Sequence, residues 1–168
     1  MADAYELYLV RHAIAEERGD AWPDDTKRPL TARGITRFRR SARGLARFGV
    51  SLEVILTSPL IRARQTAEIL AAAFDMRPHI VQIESLAPGG SYQAVLSDLE
   101  KQSKRSQIAL VGHEPEIGEL AARLAGSRHA FEFKKGGICR VDVNVLPPAG
   151  PGTLHWFATP AMLRALGK

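Results

Sequence analysis

Three apolar runs in this 168-residue chain each end on a side chain with reactive or anion-binding chemistry. Tyr5–Val10 runs into Arg11-His12, Val54–Thr57 into Ser58-Pro59 and then Arg62, and Gln107–Val111 into Gly112-His113. Imidazole can act as nucleophile or proton donor, and guanidinium offers a rigid fork of donors that suits phosphate oxygens. Two histidines and two arginines brought together would wrap one phosphoryl dianion and neutralise the charge on its equatorial oxygens. In that pocket His12 must be neutral to attack phosphorus, and Arg11 and Arg62 beside it would depress its pKa.

Each signal is ordinary alone. A histidine at a strand end is most often a structural hydrogen-bonding residue. SPLIRARQTAE, Ser58–Glu68, reads by itself as an amphipathic helix with a Ser-Pro start and exposed arginines. Convergence gives the three their weight, because ligand sites of open α/β sheets gather beyond the carboxyl ends of the strands. A metal site is the competing use of two histidines. No carboxylate or third histidine shares a motif with them, and arginines would repel a cation. Cys139 is the only cysteine, which excludes an internal disulfide and a Cys-rich zinc site. No metal or other cofactor is expected.

The elements that must position these side chains alternate. Thr31 can cap a helix over Ala32–Phe48, and Pro59 fits the first turn of a helix running to about Phe74. Further helices are expected over Tyr92–Gln102 and over Glu116–Ala125, the last closed by Gly126. Arg62 then lies one turn inside a helix entrance and His113 stands at another, where unpaired N–H groups favour anions. Phe131–Lys134, Ile138–Leu146 and Thr153–Phe157 read as strands joined by Gly and Pro turns, giving an antiparallel portion. The fold class is α/β: a mainly parallel mixed sheet with helices on both faces.

Hydrophobic residues make up 45% of the chain, enough for one compact domain over 1–168. No stretch approaches the roughly 20 apolar residues that span a bilayer. Met1–Ala4 lacks the basic start of a signal peptide, so a cytoplasmic location is expected. The net charge of +5 suits nucleic acid, an acidic protein or a phosphate-bearing substrate. Neither an aromatic RNA-binding strand nor a basic tail accompanies it, so no nucleic-acid partner is expected.

The motifs in their order resemble the histidine phosphatase, or phosphoglycerate mutase-like, superfamily, whose signature is Arg-His-Gly after the first strand. LYLVRHAIAEE, RPLTARG, ILTSPLIRARQTAEIL, SLAPGG and IALVGHEPEIGELAARLAG are similar to its small branch, the SixA-type phosphohistidine phosphatases, and TPAMLRAL looks like the tail of some members. The resemblance implies a three-layer α/β/α sandwich with one antiparallel strand. It makes His12 the phosphorylated nucleophile and Arg11, Arg62 and His113 the phosphate-binding set, with His113 able to donate a proton to the phosphoryl oxygens. Arg28, in RPLT, matches an arginine that reaches the pocket in that branch.

Two departures stand out. Ala13 replaces the usual glycine, and it disfavours positive φ. Larger members also have a catalytic carboxylate on an inserted segment. In IESLAPGGSYQ none matches that motif, and Glu84 reads as a strand-end residue facing solvent. The expected activity is therefore hydrolysis of protein-borne phosphohistidine, on a phosphotransfer domain or similar carrier, releasing inorganic phosphate. The alternatives are a small-molecule phosphomonoesterase or mutase using the same His12 chemistry, and a non-catalytic phosphate-binding scaffold.

Overall fold

The computed structural model describes residues 5–168; Met1–Ala4, on which the signal-peptide argument rests, lies outside the described residues. Six strands form one sheet: β1 (Tyr5–Arg11), β2 (Val54–Thr57), β3 (His79–Gln82), β4 (Gln107–Gly112), β5 (Ile138–Val143) and β6 (Thr153–Ala158). Their spatial order is β3-β2-β4-β1-β5-β6. β3, β2, β4 and β1 pair in parallel, and β5 runs antiparallel to both of its neighbours. The sheet is thus mixed by one reversed strand, as the resemblance implies.

Strand periodicity sorts the core into two layers. Tyr8 and Val10 of β1 point into a cluster with Phe38, Ala42, Leu45, Ala63, Ala67, Leu70 and Leu163. That layer is built by α1 (Ala32–Arg47), α2 (Ile61–Ala72) and α5 (Pro160–Leu166). Leu7 and Leu9 point the other way, onto Val95, Leu99, Ile117, Leu120 and Leu124 of α3 (Tyr92–Glu100) and α4 (Glu116–Leu124). Central strands covered on both faces read as unbroken apolar runs, which is why VILT and IALV stood out. No helix among the described residues is long and apolar enough to cross a membrane.

Three expectations need correction. Phe131–Lys134 is not a strand. Its backbone groups are spent elsewhere: Phe131 N–H donates to the Gly118 carbonyl of α4, and the Phe133 carbonyl accepts from Arg11. The two phenyl rings pack on Phe157, so apolarity here marks contact with the sheet's face and not membership of it. Pro59 lies ahead of α2, which begins at Ile61; Leu60 takes the cap position, and the Ser58 hydroxyl accepts its N–H. The strand after the Gly-Gly turn ends at Val143, short of Leu146. β3 was not expected at all. It is an edge strand with His79, Val81 and Gln82 exposed, so it lacks the apolar run that betrays a buried strand.

Thr31 caps α1 as the sequence suggests, accepting the Gly34 N–H at 2.8 Å. Gly34 is required by proximity: a β-carbon there would sit 2.2 Å from the Ile14 carbonyl oxygen. That contact, with the Thr31 N–H donating to the same carbonyl, seats the start of α1 on the segment that follows His12.

Candidate active site

β1 delivers Arg11 and His12 to the carboxyl edge of the sheet, and β4 delivers His113. The two imidazoles face each other with ring centroids 5.1 Å apart. Arg11, His12, Arg28, Arg62 and His113 line one hollow of about 510 Å³, together with Glu16, Arg18, Glu114, Glu116 and Lys135. The expected residues therefore meet in space although more than a hundred positions separate the first from the last.

The segment after β1 is fixed by its own backbone. His12 N–H donates to the Gly112 carbonyl, and Ala13 N–H donates to the Thr66 hydroxyl at 3.0 Å. Thr66 in turn donates to the Arg62 carbonyl, so one hydroxyl ties the end of β1 to the turn of α2 that bears Arg62. Among the described residues none but glycine has positive φ, so Ala13 replaces the signature glycine without backbone strain.

His12 is oriented by the Ala13 carbonyl, 2.7 Å from Nδ1. A carbonyl only accepts, so Nδ1 holds the hydrogen and Nε2 keeps a lone pair. Burial pushes the His12 pKa down to about 3; the Ala13 hydrogen bond opposes this, and His113, Arg62 and Arg11 reinforce it. The ring is neutral at physiological pH, as a nucleophile must be, but desolvation rather than the arginines is the leading cause. His113 is likewise lowered to about 3, first by burial and then by Arg62. Its Nε2 lies 2.8 Å from the Ser58 hydroxyl.

Arg62 is 2% exposed and is held by a residue the sequence reading overlooked. Asp25, in the 3-10 turn Asp25–Lys27, accepts Arg62 Nη1 on its backbone oxygen at 2.9 Å and Nη2 on its carboxylate at 3.0 Å. The same carboxylate accepts Arg28 Nε at 2.8 Å. Burial alone would raise the Asp25 pKa, but bonding to Arg28 and the charges of Arg62 and Arg28 hold it low. Arg28 is itself buried and donates to the Glu16 carbonyl, so it is a pocket wall and not a surface residue.

Glu114 and Glu116 are the other omissions. The first two carboxylates after His113 in VGHEPE line the hollow, and their position beside a helix entrance was a usable signal. Burial raises the Glu114 pKa, against the pull of Arg11 and the backbone N–H groups of Gly118 and Phe133. Its Oε1 lies close to Gly118, turned toward α4. Glu84 is exposed, as expected.

Among the described residues, five buried side-chain polar atoms have no hydrogen-bond partner: Arg11 Nε, Arg62 Nε, His113 Nδ1, Glu114 Oε1 and Glu116 Oε2. All five belong to residues lining this hollow. Buried polar groups are nearly always satisfied, so the Arg11, Arg62 and His113 nitrogens keep donor capacity that the protein itself does not use, while Glu114 Oε1 faces α4. Nitrogen atoms on three cationic or imidazole side chains suit an anion.

The chain is similar to known proteins along most of its length. Residues 7–86 match the histidine phosphatase superfamily (branch 1). An uncharacterised protein of Picosynechococcus is 47% identical over 137 residues, covering 79% of this chain and 82% of the relative. The phosphohistidine phosphatase SixA of Escherichia coli is 28% identical over 164 residues, covering 95% and 96%. A solved structure of the protein histidine phosphatase SixA complexed with tungstate superposes with a TM-score of 0.83 at 26% identity, covering 94% of this chain and 99% of that one.

Proposed function

The chain belongs to the histidine phosphatase superfamily, and from that premise we propose that it hydrolyses phosphohistidine through a covalent intermediate on His12. The observation that bears most weight is the pairing of a neutral His12, with Nε2 free to attack, and unpartnered nitrogens on Arg11, Arg62 and His113. In the first step Nε2 bonds to phosphorus while the P–N bond of the substrate breaks, its electron pair passing to the substrate imidazole. In the second, water bonds to phosphorus and the P–Nε2 bond breaks, restoring neutral His12 and releasing inorganic phosphate. Arg11, Arg28 and Arg62 hold the equatorial oxygens, and His113 supplies a further hydrogen bond that strengthens as charge gathers on them.

The chemistry of the leaving group favours phosphohistidine. An alkyl phosphate expels an alkoxide and needs a positioned acid. A phosphoimidazole can take its proton from solvent near neutral pH, since imidazole titrates near 6.5, and then leaves as a neutral ring. A phosphotransfer domain or similar carrier in signalling is the substrate this reading points to. Side-by-side kinetics on a phosphohistidine carrier, p-nitrophenyl phosphate and a sugar phosphate test it, with kcat/KM expected to fall in that order. Best turnover of the sugar phosphate would transfer the case to a small-molecule phosphomonoesterase, for which the half-buried Glu114 would be the acid to examine.

A further inference from the structure

The arginines that the chemistry does not use are concentrated on one helix. α1 contains Arg33, Arg37, Arg39, Arg40, Arg43 and Arg47 and no acidic residue. Arg33 and Arg37 stand four residues apart on one face, and α5, which packs on α1, brings Arg164 to the same place. The charge of Arg33, then burial, then the charge of Arg164 lower the Arg37 pKa, which records their mutual repulsion. Arg37, Arg164 and Lys135 border one shallow depression over Ala13 and Ile14, the residues that follow His12. Lys135 also lines the catalytic hollow, so the depression adjoins its rim.

Some basic side chains elsewhere are matched, Arg18, Arg28 and Arg62 with Asp25, Arg140 with Asp142 and Glu6, Arg105 with Glu53, and Lys101 with Asp98, whereas scattered ones such as Arg64, Arg77 and Arg128 carry no carboxylate partner among the described residues. None of Arg33, Arg37, Arg164 and Lys135 has a carboxylate within 4.0 Å or a side-chain hydrogen bond among the described residues. Unmatched like charges held together cost stability, and an acidic surface brought against them recovers that cost as attraction.

We propose that the shelf formed by Arg33, Arg37, Arg164 and Lys135 docks an acidic protein surface and thereby presents its phosphohistidine to His12. The inference rests on the phosphohistidine reading and adds the kind of partner. A protein suits the shelf better than a nucleic acid does. The shelf's one aromatic, Phe38, is buried, leaving no stacking platform for bases. A shelf that ends at the rim of a phosphoryl-transfer pocket also needs a partner bearing a transferable phosphoryl group, which nucleic-acid diesters lack.

The test uses the full chain and a triple variant, Arg33→Gln with Arg37→Gln and Arg164→Gln. Removing mutual repulsion should leave the melting temperature unchanged or raised. The substrates are phosphoimidazole and two synthetic phosphohistidine peptides, one flanked by glutamates and one by lysines. The wild-type chain should prefer the glutamate peptide by about tenfold or more in kcat/KM at low salt, as electrostatic steering allows. High salt and the triple variant should both abolish that preference while turnover of phosphoimidazole stays as it was. An unchanged peptide preference in the variant, or an equal loss on phosphoimidazole, overturns the proposal.

Failure of the phosphohistidine reading shows differently, as no turnover of either peptide or of phosphoimidazole beside good turnover of p-nitrophenyl phosphate. Docking is then read from binding alone. Binding of polyglutamate that the triple variant loses upholds the acidic-protein surface. Tighter binding of duplex oligonucleotide or of anionic vesicles than of polyglutamate overturns it.

Discussion

Asp25 grips Arg62 at two points, through its carbonyl oxygen at 2.9 Å and its carboxylate at 3.0 Å, and so fixes the guanidinium plane at the pocket. The same carboxylate competes with any bound phosphoryl group for that guanidinium. Asp25→Asn keeps an acceptor but removes the charge. The variant should bind inorganic phosphate more tightly, seen as a lower inhibition constant, while kcat falls because Arg62 is less firmly placed. A kcat and a phosphate inhibition constant both equal to wild type would show that Asp25 has no such role.

Arg62→Ala removes the donor itself. Loss of one preorganised donor to a developing charge costs on the order of 3 kcal/mol, so kcat should fall by about two orders of magnitude. Single-turnover rates on a phosphohistidine substrate measure this step apart from product release.

His12→Ala should lose several orders of magnitude in rate, as removal of a nucleophile does. Rapid quench with labelled substrate, held at alkaline pH, should trap an acid-labile phosphoryl group on the peptide containing His12. Label on any other histidine would reassign the nucleophile.

Ser58→Ala removes the hydroxyl 2.8 Å from His113 Nε2 and leaves that buried nitrogen without a partner. The His113 ring then loses the contact that orients it. We expect kcat to fall by about fivefold, with less effect than His113→Ala, because a hydrogen bond that orients a ring is worth ~1 kcal/mol. The imidazole nitrogen resonances of His113 report the tautomer directly.

Stability should fall as the medium turns acidic, well before the carboxylates titrate. His12 and His113 titrate near 3 in the folded chain but at 6.5 when exposed. From about pH 6.5 down toward 3 the unfolded chain takes up protons that the folded chain refuses, so unfolding gains. Asp25 and Asp98, whose pKa values are lowered from 3.8, lose their contribution only nearer that value. Glu114, raised by burial, works in the opposite sense and softens the slope. Melting temperatures between about pH 7 and pH 5 should decline. The double substitution His12→Gln with His113→Gln should flatten the decline.

A chelator should leave turnover intact, since no step assigned to these residues needs a cation. Inhibition by EDTA that zinc or magnesium reverses would overturn the mechanism.

The sequence by itself determined the parts that local chemistry encodes. Doubly covered strands must be continuous apolar runs, so β1, β2 and β4 were legible, and the residues closing those runs pointed to His12, Arg62 and His113. Thr31 was legible as a cap because its hydroxyl serves an N–H three residues on. Arg28 was reached through its motif alone. Only the tertiary structure decided what depends on neighbours distant in the chain. Asp25 stands 37 positions from the Arg62 it holds, in a loop whose composition reads as a solvated turn. Phe131–Lys134 has a strand's composition, yet its backbone partners lie on α4 and Arg11. The same distance-blindness hides the leading cause of His12's neutrality. Adjacent arginines are visible in a sequence, whereas burial is set by how distant parts of the chain pack around the ring.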